Sequence, residues 1–272
     1  MRGRKAKTCG RMESTMNIRY GVCTGFENLG EVARAGYDYM EANLTQLAMM
    51  SSEEFSRIAD LVDAEQIKVE AYNCFFPGDF ALVGERYDLN RIKLYVEKAL
   101  ARAARLGGKI CVLGSGGARN IPDGFDRTVA EEQFIEVLRA CGDLAKYHRM
   151  TVVIEPLNAG ETNLANTVSE GLKLAARAAH PNVACLADFF HVLKSGESLE
   201  AIESSGGALR HLHIADPERH FAELKCHPEL LNAWADALRA CSYSGRLSLE
   251  GHFEDFSTDI KSTIKLLKEY FN

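Results

Sequence analysis

The chain has 272 residues, 46% of them hydrophobic and 26% charged, with a formal net charge of −6. That length suffices for one large core, and α/β barrels of this size are commonly a single domain. The acidic balance argues against a general binder of nucleic acid or anionic membrane, and no apolar run approaches the roughly 20 residues of a membrane helix.

Residues 1–15 differ from the rest. Arg2, Arg4, Lys5, Lys7 and Arg11 make them basic, with no apolar segment behind. A secretory signal needs such a segment, so this stretch reads as a flexible tail, or as sequence upstream of a start at Met12 or Met16. The eight cysteines (Cys9, Cys23, Cys74, Cys111, Cys141, Cys185, Cys226, Cys241) form no C-x-x-C pair. Several lie in apolar stretches, where cysteine behaves as a small hydrophobe. Free thiols without a signal segment point to a reducing cytoplasm.

The first strand is predicted over 17–23, followed by a short helix, 28–35, closed by Gly36. A second strand, 37–42, ends near Glu41 and Asn43. Ser51-Ser52-Glu53-Glu54 caps a helix that runs to Glu65, since hydroxyls accept from free N–H groups and carboxylates suit the dipole there. The third strand is 68–73. The loop 74–87 carries Phe75, Phe76 and Phe80, aromatics suited either to wall a pocket or to pack the loop on its own barrel. A helix over 89–106 ends at Gly107-Gly108, and strand four spans 109–113. Gly114-Ser115-Gly116-Gly117 could cradle an anion with backbone N–H groups, but matches neither nucleotide-binding glycine spacing.

A long helix, 127–148, precedes the strand Thr151-Val152-Val153-Ile154-Glu155, which Pro156 stops because it lacks an N–H for the ladder. The β-branched run marks a strand buried on both faces. Then come a helix (166–179), strand six (183–188), a short helix (198–204), strand seven (209–214), a helix (227–241), strand eight (246–250) and a last helix (256–271). Eight strands alternating with helices imply right-handed crossovers and a parallel sheet. Eight such units in this length fit a single closed (β/α)8 TIM barrel over 16–272.

In such a barrel the C-terminal strand ends surround one mouth, where the chemistry sits. Strand five ends in Glu155, six in Asp188, seven carries His213 and eight ends in Glu250. Three carboxylates beside one imidazole would force protons onto one another. A divalent cation resolves that repulsion, and the oxygen-rich set with one nitrogen suits Mn²⁺, Mg²⁺, Co²⁺ or Fe²⁺, with Zn²⁺ as a further candidate.

Ile-Glu-Pro-Leu-Asn at 154–158, Asp-Phe-Phe-His at 188–191, His-Leu-His-Ile-Ala-Asp at 211–216 and Leu-Glu-Gly at 249–251 resemble the xylose-isomerase-like TIM-barrel superfamily. The likeness is to its sugar-phosphate isomerase/epimerase branch, which includes the D-tagatose/D-psicose 3-epimerases. The resemblance implies that Glu155, Asp188, His213 and Glu250 hold one metal ion, and that Glu155 and Glu250 double as acid and base. Chemistry agrees: a ketose oxygen on a dication acidifies the neighbouring C–H, and the enediolate is held by the metal's charge. One Glu removes the proton and the other returns it from the opposite face, inverting a carbon. Return to the neighbouring carbon would interconvert aldose and ketose. The offsets of Glu161, His191 and Arg219 resemble those of residues that bind sugar oxygens in the epimerases.

His211 points to the same strand face as His213 and could either support the ligands from behind or fill space lower in the barrel, the second being the favoured expectation. The loop after strand four departs from the family's apolar wall, and there Arg119 could meet a carboxylate, phosphate or polyol. The partner expected is thus a small sugar or polyol-derived ketone, with neither nucleic acid nor membrane. Barrel enzymes often pair, although no interface signal is visible. An inosose or keto-acid dehydratase on this scaffold is the alternative reading, since it begins with the same proton abstraction. A nuclease resembling endonuclease IV would need extra His ligands after strands three and four, where Tyr72-Asn73-Cys74 and Leu113-Gly114-Ser115 stand. A silent binding barrel would be expected to lack Glu155 or Glu250, and both are present.

Overall fold

Eight short strands alternate with helices, and each pairs in parallel with the next. The computed structural model describes residues 16–65 and 67–272, so the tail expected at 1–15 lies outside the described residues. The strands are β1 (Arg19–Cys23), β2 (Tyr39–Asn43), β3 (Lys68–Asn73), β4 (Ile110–Leu113), β5 (Thr151–Ile154), β6 (Val183–Asp188), β7 (Leu209–Ile214) and β8 (Arg246–Leu249). β8 returns to β1, with Leu247 opposite Tyr20, and closes the barrel. Because helices cover the outer face while side chains fill the lumen, these strands are apolar on both faces. β4 reads Ile-Cys-Val-Leu with every residue buried.

Side-chain alternation decides what enters the lumen. Tyr39, Ala71, Ile110, Val112, Val153, Ala184 and Leu186 form a separate apolar cluster, while Val152, Ile154, Cys111 and Leu113 join the larger core beneath the helices. Counting on by two from Val153 reaches 155, and from Leu186 reaches 188. The inward parity of β7 gives 211 and 213, and that of β8 gives 248 and 250. At the opposite end, Glu70 is bound by Arg19 at 2.7 Å and by Arg246 Nε at 2.9 Å, which neutralises its charge among the strands.

Three α-helices are absent from the sequence reading, and two of them follow strand ends directly. Leu44–Met49 starts at Asn43, whose side chain accepts from the Gln46 N–H, and Phe189–Ser195 starts at Asp188, which accepts from Phe190 N–H. Each strand-end residue thus doubles as an N-cap. The third is a single turn, Gly116–Arg119, and the helix expected at 198–204 is reduced to Glu200–Glu203.

Candidate metal and active site

β6, β7 and β8 are in register so that Asp188 lies opposite His213, and His213 opposite Ser248, two residues before Glu250. Glu155 follows β5, its N–H still donating to the Leu113 carbonyl at 3.2 Å. Glu155, Asp188, His213 and Glu250 each bring one ligand-type atom within 4.8 Å of the other three. His213 Nδ1 is 3.0 Å from Glu155 Oε1 and 3.1 Å from Glu250 Oε2. Asp188 spends Oδ1 on the Phe190 N–H at 2.8 Å, which leaves Oδ2 facing the cluster. Gly114 leaves room beside Glu155, whose carboxylate would have to shift if a Cβ stood there.

Beneath His213 lies a residue to which the sequence reading gave no role. Glu41, fully buried on β2, holds His213 Nε2 at 3.0 Å through one oxygen. Through the other it takes the Ser248 hydroxyl at 2.6 Å and His211 Nε2 at 2.8 Å. A carboxylate on the far nitrogen of a metal-ligating histidine fixes its tautomer and aims the other nitrogen. His211 is therefore corrected from a space-filler to a member of the chain that braces His213. Its Nδ1 has no partner.

Asn73 at the end of β3 also lacked an assigned role. Its amide donates to Glu250 Oε1 at 2.9 Å. Asn158 donates from its amide to Glu161 at 2.9 Å, and its backbone N–H points at His191 Nδ1 at 3.2 Å. The contacts of Asn73 with Glu250 and of Asn158 with His191 join residues 177 and 33 apart in sequence, and a polar strand end alone does not announce them.

Arg219 reaches inward from the loop after β7, with a left-handed backbone at φ 63°. Its guanidinium stacks on Phe190 at 4.4 Å and lies 3.1 Å from Asp188, 3.4 Å from Glu250 and 3.2 Å from His191 Nε2. Arg119 does not join it. Its side chain is fully buried and donates to the carbonyls of Glu155 at 2.7 Å and Leu113 at 3.3 Å. The turn 116–119 carries it behind β4 and β5, so the sequence reading of Arg119 as a substrate contact is corrected to a clamp on two strand ends. Burial lowers its pKa to about 10, which leaves it charged at neutral pH.

Burial works against every charge in the cluster. It raises the pKa of Glu155, and the nearby charge of Glu250 raises it further. For Glu250 the same burial is outweighed by His213 and Arg219, which hold it near 2. Glu41, also buried, is pulled below the carboxylate range by His213 and His211. His213 rises well above its ordinary value because Glu250 and Glu41 outweigh its burial. The carboxylates around His213 thus favour positive charge at that point of the cluster. Three carboxylates, one braced imidazole and no sulfur fit a hard or borderline divalent ion.

The mouth above is a cavity of about 280 Å³ lined by Asn73, Phe76, Ser115, Leu157 and Glu161 beside His191, Arg219 and the two Glu residues. Of the loop aromatics, Phe76 lines it; Phe75 stacks on Phe76 at 4.6 Å, and Phe80 packs against Tyr95 at 4.9 Å. The loop therefore both walls the pocket and packs on itself.

A family model described as a xylose isomerase-like TIM barrel matches residues 29–270. An L-ribulose 3-epimerase from Methylomonas sp. (strain DH-1) is 25% identical over 232 residues, covering 84% of this chain and 77% of that protein. A 3-dehydro-D-guloside 4-epimerase from Escherichia coli (strain K12) is 28% identical over 184 residues, 64% of this chain and 67% of that one. The crystal structure of a D-psicose 3-epimerase in the presence of D-fructose superposes with a TM-score of 0.81 at 18% identity, over 93% of this chain and 99% of that one. That likeness establishes the barrel.

Proposed function

The chain belongs to the xylose isomerase-like TIM-barrel family, and we propose that it is a divalent-metal-dependent epimerase or isomerase of an unphosphorylated ketose or related keto-sugar. Four ligand-type atoms from consecutive barrel positions within 4.8 Å of one another, two of them on glutamates, carry the reading. The relatives, named as sugar epimerases, support it.

Glu155, Asp188, His213 and Glu250 would hold the metal ion. When bound, such a cation polarises a carbonyl and offsets negative charge that develops on its oxygen. The ion proposed is Mn²⁺, with Mg²⁺, Co²⁺ or Zn²⁺ as alternatives for the same donor set. Glu41 and His211 brace His213, and Asn73 fixes one oxygen of Glu250. Glu250 and Glu155 then sit on two sides of one mouth, so one takes the proton from the carbon beside the carbonyl while the other delivers a proton. His191, Glu161 and Arg219 orient the substrate hydroxyls, since a guanidinium donates and a carboxylate accepts.

Charge selects against phosphate. With Arg119 turned away, Arg219 stands among the described lining residues against Glu155, Glu161 and Glu250. A dication would balance the carboxylates and leave little attraction for a phosphate dianion on the substrate. The seven described cysteines are all free, which supports a reducing cytoplasm as the working compartment. No described helix is long and apolar enough to cross a membrane.

The test is proton NMR in D₂O with Mn²⁺-loaded protein against neutral ketoses and their phosphates. Deuterium entering beside the carbonyl of a neutral ketose, with its epimer or isomer appearing, is the expected result. A dehydrated product, or turnover confined to phosphates, would contradict the proposal.

A further inference from the structure

A second cavity, of about 390 Å³, lies next to the mouth. Its walls are the loops after β3 and β4, which both leave the barrel at the catalytic end. Gly116 lines the mouth and Gly117 lines the second cavity, and Phe76 and Phe80, one facing each, have ring centroids 5.7 Å apart. The ridge between the two spaces is therefore a turn of glycine backbone. A Cβ added at Gly117 would meet nothing within 4 Å, so the space above the ridge is open.

The walls are held in place without a ligand. Leu82 N–H donates to the Ala118 carbonyl at 2.8 Å, joining the two loops. Gly84 N–H donates to Gln133 at 2.7 Å. Asn120 accepts from Asn163 N–H through its amide oxygen at 3.0 Å, and its NH₂ remains for a ligand. A preformed site loses less free energy in ordering when it binds.

The lining is amphipathic. Half-buried Phe125 offers aromatic surface, Phe80 being buried with the Arg91 guanidinium on its ring at 4.2 Å, while Asn120, Glu85, Asp123 and Arg86 offer donors and acceptors. Two carboxylates against one guanidinium disfavour an anionic group such as phosphate or nucleotide. An aromatic face with hydroxyl-binding groups around it suits a neutral polyol ring, apolar on its face and polar at its edge. The mouth alone, at about 280 Å³, is below the roughly 300–1,000 Å³ of typical small-molecule sites. With its neighbour it falls within them.

We propose that this second cavity is a subsite for a neutral glycosyl unit, so that the preferred substrate is a keto-sugar carrying a second sugar on the end remote from its carbonyl. The proposal rests on the keto-sugar reading of the mouth.

The probes are D-fructose and isomaltulose, which is fructose with glucose on O6. Binding to the Mn²⁺-loaded protein is measured by calorimetry, and deuterium entry by proton NMR. Isomaltulose should bind at least 10-fold more tightly than fructose. Gly117→Phe, which raises the ridge and fills the passage, should erase that preference and leave fructose binding within about twofold; Asp123→Ala should weaken isomaltulose alone. Equal or weaker binding of isomaltulose by the wild type would overturn the subsite, whatever exchange shows, as would a preference that survives in Gly117→Phe. A preference erased by Gly117→Phe but without exchange on either sugar would support the subsite and contradict the proposed reaction.

Discussion

Glu41→Gln isolates the charge that braces His213. Glutamine has nearly the same shape and can still accept from His213 Nε2, but it brings no negative charge to a fully buried position. In the native chain one carboxylate holds His213 at 3.0 Å, His211 at 2.8 Å and the Ser248 hydroxyl at 2.6 Å. A buried carboxylate behind a metal-ligating imidazole raises its basicity and fixes its tautomer, an arrangement whose loss costs about 10–100-fold in metal affinity. That corresponds to about 1.4–2.7 kcal/mol. Competition between the protein and a chelator for Mn²⁺ reads the affinity, and a thermal melt of the metal-free variant checks the fold. A folded variant whose Mn²⁺ affinity lies within about threefold of wild type would refute the claim that Glu41 aims His213 at a metal.

Two further outcomes follow from the same geometry. Arg119→Met should lower unfolding free energy by about 2–4 kcal/mol in a urea titration, because the Leu113 and Glu155 carbonyls lose a charged donor in a buried setting; unchanged stability with a raised KM alone would restore Arg119 to the substrate. Metal affinity should rise with pH, with a logarithmic slope of about one in the range where His213 titrates. His213 is held protonated above its ordinary range because Glu250 and Glu41 outweigh its burial, and its Nδ1 proton must leave before a cation binds; a pH-independent affinity in calorimetry across that range would contradict the assignment.

Much of the barrel was legible because buried parallel strands are locally encoded. β3, β6 and β7 have the predicted bounds, β2 is displaced at both ends, and the others differ by one or two residues at one end. The helix Leu44–Met49 was missed because Asn43 caps it while still in the ladder, and Phe189–Ser195 likewise begins on a residue read as a strand end. The gathering of Glu155, Asp188, His213 and Glu250 was legible because four consecutive strands each carry a carboxylate or imidazole at or near their C-terminal end, and those ends surround one mouth.

Glu41 was not, since its partners His211 and His213 lie 170 and 172 residues away. The predicted second strand carries Glu41 near its end, and an ionisable group buried there needs a partner, but the sequence does not say which. Arg119 was misread for the opposite reason. It stands close in sequence to the mouth, but the turn starting at Ser115, whose backbone is left-handed at φ 38°, aims its side chain behind the strands.

The central claim is that Glu155 and Glu250 share proton transfer at a metal held by four strand ends. It is tested most directly by Glu250→Gln, loaded with saturating Mn²⁺ and incubated in D₂O with a ketose that the wild type turns over. Metal content and deuterium entry are followed together. The variant is expected to keep most of an equivalent of metal while exchange and epimer formation fall by about 10²–10⁴-fold. Exchange and turnover at the wild-type rate in metal-replete Glu250→Gln would contradict it.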